Sequence, residues 1–415
     1  MLTYFKNLSQ LSIFKDLSWY TLCQIFVQGA AFFSAIIVTR YLGPTNLGLY
    51  GFVQNYVATA LTVVAGVDFY FTWKIAKSDN FYRDIQECIG YKFYMYLTFG
   101  FLGILAGWIV LPNDIAFMVT IMLVPVFVQS LNAFSFYAMV TNRAKVVALT
   151  YVVTSTILLL LKVGLVFLQA PLYAFVVVSA IDLILSGSIL AIYFLRMPEW
   201  RGVLSTIKLP SFLGSFTFLY SIRLSIIALI CWQLLQRVDQ LILATISNAY
   251  TLGIYVAAVK IAEVPNFLAG ILSAALTSRM AYVAINDDNN SKARLKKMML
   301  SYLGVGSLIA FLIIVFAPLA VHFLYGLEFR ESIPVLRAYA LSIPAMFLNY
   351  FFLSMYGAQD RQHNQVVIFG VALLANVVFI YLLYPVFGLK GTAFATAIAY
   401  SISACWFYVN LYKQK

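Results

Sequence analysis

Charge is scarce in this sequence: only 10% of its 415 residues are Asp, Glu, Lys or Arg. Soluble domains carry roughly 25%, so water is excluded as the main solvent. Acidic residues are the scarcer half, 15 against 27 basic ones. Histidine occurs only twice, as His322 and His363, both between apolar runs, which excludes a histidine-based metal site. Cys23, Cys88, Cys231 and Cys405 show neither metal-ligand spacing nor a disulfide framework. No metal and no cofactor is expected. No Walker-type phosphate loop occurs, which excludes an intrinsic ATPase of that kind. Met1 to Asp16 lacks the charged, apolar and cleavage regions of a signal peptide.

Apolar length is what the sequence has in excess. Hydrophobic residues make up 63% of the chain, and the mean hydropathy is +0.91. Runs of about 20 residues, enough to cross a ~30 Å hydrocarbon core, recur throughout. In lipid, only helices or closed barrels satisfy every backbone group. The runs are long and lack period-two alternation, which excludes a barrel.

The expected fold is therefore an all-α membrane protein of about twelve transmembrane helices. The first six spans are read as Leu17–Thr39, Leu47–Trp73, Phe93–Leu111, Ile115–Val140, Val146–Leu168 and Leu172–Leu195. The second six are Ser221–Ile246, Leu252–Thr277, Met298–Ala320, Ile333–Tyr356, Val366–Leu383 and Gly391–Tyr412. Turn residues mark the breaks, among them Gly43-Pro44, Pro112-Asn113-Asp114 and Pro385 with Gly388.

The cations orient the chain. With both termini cytoplasmic, nineteen Lys and Arg fall inside, and only Arg40, Arg330 and Lys390 fall outside. Such asymmetry is what the positive-inside rule requires. It accounts for most of the +12 net charge without a nucleic-acid partner. The largest inner connection, Ser278 to Lys297, ends in a basic cluster suited to anionic headgroups.

The two halves echo each other. Leu47-Gly48-Leu49-Tyr50 opens the second span and Leu252-Gly253-Ile254-Tyr255 the eighth. Pro125 interrupts the fourth span and Pro344 the tenth. A parallel six-plus-six repeat follows, with an N-terminal lobe over 1–202 and a C-terminal lobe over 203–415. Duplicated halves are a transporter signature.

Charge inside a membrane costs at least ~2.5 kcal/mol per residue on insertion scales, so each case asks for a reason. On the seventh span, Gln233, Gln236, Arg237 and Gln240 fall within about 100° of arc. That stripe suits a wet cavity binding an anionic, hydroxyl-rich ligand, or else hydrogen bonding between helices. Asp239 points away from it and either pairs with a neighbour or takes a coupling proton. On the eighth span, Lys260 and Glu263 stand one turn apart, followed by Pro265. They either neutralise each other or flank a kinked gate. Lys162 and Asp182, at similar depths on consecutive spans, read as a structural ion pair. Asp68 and Arg337 lie near span ends, where snorkelling suffices. Gln24 and Gln28 share a face of the first span, with Arg40 at its outer end. A cavity flanked by spans one, two, seven and eight would collect Gln28, Arg40, Arg237 and Lys260, and its excess of cations suits a phosphate-bearing substrate.

Three stretches carry a resemblance. Arg40-Tyr41-Leu42-Gly43-Pro44-Thr45-Asn46-Leu47-Gly48-Leu49-Tyr50 resembles the first loop of polysaccharide flippases. Arg237-Val238-Asp239-Gln240, with Leu252-Gly253-Ile254-Tyr255-Val256-Ala257-Ala258, resembles their seventh and eighth helices. Asn376, then Tyr384-Pro385-Val386-Phe387-Gly388-Leu389-Lys390-Gly391-Thr392-Ala393, resembles the turn between their last two helices. The family is the O-antigen (Wzx-type) flippases of the multidrug/oligosaccharidyl-lipid/polysaccharide exporter superfamily.

The resemblance implies two six-helix lobes around a central cationic cavity, with Arg237, Asp239 and Lys260 on its lining helices. It implies transport of an undecaprenyl-diphosphate-linked glycan across a bacterial cytoplasmic (inner) membrane, from the inner to the outer leaflet, with an ion gradient as the expected drive. A polysaccharide polymerase and a chain-length regulator are candidate partners. Two other classes stand against it. A multidrug (MATE-type) cation antiporter shares the architecture but calls for a net acidic cavity. A membrane glycan polymerase or glycosyltransferase calls for a sizeable outer loop, and the outer loops here are short.

Overall fold

The computed structural model describes residues 2–76, 80–141, 143–200, 212–285, 289–358 and 362–413. Among them every regular element is a helix. Among the described residues ten helices are long and apolar enough to cross a membrane, and the bent pair Ser332–Ala340 with Ile343–Tyr356 makes eleven. One of the ten, Leu22–Ala60, has 39 residues. Those residues are not one straight rod, because Gly43 divides them into two helical pieces.

That long helix is where the expected first turn fell. The helix α1 (Leu2–Ala60) is broken only at Gly43, whose φ is 66° and ψ 176°. A left-handed φ costs a side chain about 1–2 kcal/mol, so glycine is the residue that breaks a helix here most cheaply. Pro44 then restarts it, since the first helical position needs no N–H donor. Gly43-Pro44 is thus a one-residue joint rather than a loop. A second interruption follows at Leu61, before α2 (Thr62–Ala76).

Two compact units divide the chain, Met1–Tyr41 with Ala60–Arg223, and Leu42–Thr59 with Leu224–Lys415. The boundary expected at 202/203 lies outside the described residues. Residues 42–59, by sequence part of the first half, group with the second unit.

The first unit holds α1 up to Tyr41, α2, α3 (Phe81–Val110), α4 (Asn113–Leu123), α5 (Phe134–Val140), α6 (Ala144–Phe167), α7 (Leu172–Leu195) and α8 (Phe212–Ser221). Asn80 caps α3 by accepting from the Arg83 backbone N–H. Between α4 and α5, residues Val124–Ala133 wind as a 3₁₀ helix, with Pro125 in its first turn. Proline cannot donate to residue i−4 and clashes with its carbonyl, so the α-helix stops there. Gly187 of α7 packs against this stretch: a Cβ there would lie 2.9 Å from the Asn132 backbone N. Trp200 is buried against Tyr82, Phe134 and Tyr137, with ring centroids 5.0, 5.1 and 4.9 Å away. The helix α8 joins this unit because Phe218 packs on Tyr70, Phe71 and Tyr91, with centroids at 5.0, 5.9 and 4.3 Å.

The second unit adds α9 (Arg223–Ile246), α10 (Ala249–Ile285), α11 (Asn289–Leu324), α12 (Ser332–Ala340), α13 (Ile343–Ala358), α14 (Gln362–Phe387) and α15 (Leu389–Lys413). Phe347, Phe351, Phe352, Tyr356, Phe369 and Phe407 fill its core. Pro344 lies at the 45° bend between α12 and α13. Gly306 of α11 packs on that bend, and a Cβ there would lie 3.0 Å from the Pro344 Cα.

The repeated motifs meet inside this unit. A Cβ on Gly48 would overlap the Ala249 carbonyl oxygen, and one on Gly253 would overlap the Pro44 carbonyl oxygen. Two helices therefore cross with backbones in contact, the geometry that small residues permit in membranes. Around the crossing, Leu47, Tyr50, Leu252 and Tyr255 are all buried. This close packing explains why residues 42–59 group with the C-terminal half.

Candidate functional site

The helices α9 and α10 bring the site together. Arg237, on α9, donates from Nη1 to both carboxylate oxygens of Glu263 on α10, at 3.1 and 3.3 Å. The side chains are 27% and 18% exposed, so the pair is partly buried rather than sealed. The sequence reading set Glu263 against Lys260 on its own helix; here Arg237 holds it from the neighbouring helix. Lys260 Nζ stands 5.6 Å from the centre of the Tyr50 ring, within cation–π range. The helix α10 runs on through the buried Pro265.

Asp239 is fully buried, two residues beyond Arg237. Tyr255 donates its hydroxyl to Asp239 Oδ2 at 2.7 Å, and Thr396 Oγ1 of α15 approaches the same oxygen at 3.4 Å. The Gln240 backbone N–H donates to Oδ1. Among the described residues no Lys or Arg forms a salt bridge with Asp239. A buried carboxylate held by hydroxyls rather than by a cation is costly to keep charged.

The glutamine stripe divides. Gln233 and Gln236 are half-buried, but Gln240 is buried and accepts from Asn55 Nδ2 at 2.7 Å. Gln240 thus follows the helix-packing reading. Its partner lies 185 residues earlier, on the segment that joined this unit.

Aromatic side chains line the same region. Trp232 meets Tyr350 and Tyr400 edge-on, with centroids at 5.6 and 6.2 Å. Tyr339, Tyr350 and Tyr400 lie close enough to feel the charge of Glu263.

The other expected residues lie in the first unit. Gln24 is half-buried, while Gln28 and Arg40 are exposed. Lys162 is half-buried and Asp182 exposed. Lys162 and Asp182 lie close enough to feel each other's charge.

That unit also has an ion pair the sequence reading missed. Lys92 is 1% exposed and sits 2.6 Å from Asp68 Oδ1. The signal was available in the hairpin register: Asp68 and Lys92 each stand twelve residues from Asn80, at the turn between α2 and α3. Nearer the turn, Lys74 bridges Asp84 at 3.1 Å and Glu87 at 2.5 Å. Burial pulls the Lys74 ammonium down, but hydrogen bonds to Glu87 and Asp84 outweigh it and hold its pKa above the usual lysine range.

Comparison with known proteins follows the same line. The model of the family described as "Polysaccharide biosynthesis protein" matches residues 13–281, more than half of the chain. No curated protein sequence matches. The lipid II flippase MurJ in an inward closed conformation is similar with a TM-score of 0.74 and 12% identity, over 94% of this chain and 87% of that one. An inward-facing multidrug resistance MATE family transporter of the MOP superfamily gives 0.71 and 13%, over 92% and 94%. A mutant of the Vibrio cholerae MATE transporter VcmN gives 0.65 and 15%, over 98% and 97%. At these identities the likeness speaks for the fold. It is the fold expected from the Arg40–Tyr50 and Arg237–Ala258 stretches. The chain belongs to the polysaccharide biosynthesis protein family and carries the fold shared by the lipid II flippase and the MATE transporters of the MOP superfamily.

Proposed function

We propose that this protein is a flippase for lipid-linked oligosaccharides. Its cargo is an undecaprenyl-diphosphate-linked repeat unit of O-antigen or a related surface polysaccharide. It carries that cargo from the cytoplasmic to the periplasmic leaflet of a bacterial inner membrane by alternating access, with both termini cytoplasmic. It is a transporter rather than an enzyme. The observation that carries this reading is the family match to polysaccharide biosynthesis on a fold that a lipid II flippase also adopts. Arg237 and Lys260 supply cations for a diphosphate, with Gln233 and Gln236 beside them for sugar hydroxyls. Gln24, Gln28 and Arg40 of the first span are assigned as further substrate-binding residues.

Deletion followed by glycolipid analysis tests the reading. Undecaprenyl-linked repeat units trapped in the cytoplasmic leaflet are the expected result. Unchanged glycolipids with altered drug efflux would instead identify a multidrug exporter.

Asp239 is the group we assign to ion coupling. It is the buried carboxylate of α9, and hydroxyls rather than a cation hold it. A proton arriving there removes a charge that the apolar surroundings disfavour. Asp239→Asn mimics the protonated state. It is expected to leave insertion intact while cutting gradient-driven transport about tenfold or more, a barrier change of ~1.4 kcal/mol. Transport in proteoliposomes that still responds fully to an imposed pH gradient would count against Asp239.

A further inference from the structure

The contact between Arg237 and Glu263 is unusual in how little of the guanidinium it uses. Both carboxylate oxygens lean on Nη1 alone, at 3.1 and 3.3 Å. Arg237 Nε is buried and has no hydrogen-bond partner. A guanidinium matched to its anion engages two nitrogens in parallel. This pair is off that optimum, and it is partly open, with side chains 27% and 18% exposed. The fully buried carboxylate nearby, Asp239, already has Tyr255, Thr396 and a backbone N–H.

We propose that Glu263 is a placeholder, its carboxylate occupying Arg237 in place of the diphosphate of the cargo, so that binding exchanges one anion for the other. The inference rests on the flippase reading above and names the device by which that site receives its ligand. A diphosphate offers more acceptor oxygens than a carboxylate, so it reaches donors of the fork that Glu263 leaves unused. The displaced carboxylate is not stranded. Lys260 stands three residues back on α10, one turn away, so the displaced carboxylate stays near a cation that it shares with the diphosphate. The backbone beside it is loosened as well, because Pro265 has no N–H to give the Ile261 carbonyl. While no cargo is bound, Glu263 keeps Arg237 from standing as an uncompensated charge, which the membrane interior penalises.

Binding measurements on the purified full-length chain in nanodiscs test the exchange. Two probes separate the sources of the chemistry, undecaprenyl diphosphate and inorganic diphosphate. Glu263→Gln removes the competing charge and keeps the shape. It is expected to bind one or both probes about tenfold tighter than the parent chain. Arg237→Gln is expected to lose binding, and the double variant Arg237→Gln with Glu263→Gln to show no gain. Glu263→Ala repeats the measurement should the amide disturb the fold, and thermal melting of each variant reports that. If the parent chain binds and neither Glu263 variant binds more tightly, the placeholder role is overturned and the flippase reading stands. If neither probe binds any variant or the parent, both fall together.

Discussion

Asp68→Asn is expected to remove most of the folded, membrane-inserted protein. Its partner Lys92 is 1% exposed, so the substitution leaves an ammonium ion buried without a carboxylate. Breaking a buried pair from one side costs about 3–5 kcal/mol, a large share of the roughly 5–15 kcal/mol typical of folded proteins. The rings of Tyr96 and Phe136, 5.9 and 5.6 Å from Lys92 Nζ, stand beside it in parent and variant alike. Contacts common to both proteins cancel in the difference, and at this range each is worth only roughly 0.5–1 kcal/mol.

The reverse change is milder. Lys92→Met leaves Asp68 alone, but that side chain is 35% exposed and has other surroundings to turn to. The double variant, Asp68→Asn with Lys92→Met, is expected to recover most of the loss, because it leaves no unpaired charge. Thermal melting in detergent, with size-exclusion profiles for yield, reads all three. An Asp68→Asn protein that melts with the parent would show the pair to be energetically idle.

Gly253→Ala is expected to have the second large effect. The added Cβ would overlap the Pro44 carbonyl oxygen, which is backbone and cannot rotate away. Overpacking typically costs about 1–3 kcal/mol, and a backbone-to-backbone crossing belongs at the upper end. Gly48→Ala, against the Ala249 carbonyl, should behave alike. Gly270 is the internal control. It lies on the same helix α10, and a Cβ there would meet no atom within 4 Å. There Ala should be neutral or stabilising, since glycine is about 1 kcal/mol poorer than alanine inside a helix. Equal melting temperatures for Gly253→Ala and Gly270→Ala would contradict the tight crossing.

The contrast between these glycines shows how far reading alone carries. Leu-Gly-x-Tyr was visible twice as a repeat, and its position at the openings of spans two and eight was read from apolar length. Nothing in either tetrapeptide said that the two would touch. Gly43-Pro44 was legible as a break, but a turn and a one-residue joint share the same local signal. Pro125 and Pro344 were legible as interruptions for a better reason: a missing N–H acts wherever the helix lies. In the site, Arg237 and Glu263 were each picked out as charges set in apolar surroundings. The pairing was missed because Lys260 offered Glu263 a nearer partner in sequence. Asp68 and Lys92 were assigned to span ends and orientation, since neither is conspicuous until the α2–α3 hairpin aligns them.

The sequence by itself determined the solvent, the helical class and the positions of most spans. These are local consequences, because a helix in lipid satisfies its own backbone and needs only enough consecutive apolar residues. The tertiary structure decided which polar groups are partners. Arg237 meets Glu263 across 26 residues, Asp239 meets Thr396 across 157, and Asn55 meets Gln240 across 185. Such meetings depend on which helices pack side by side and how each is rotated, and lipid-soluble helices of similar composition do not encode that choice in their hydropathy.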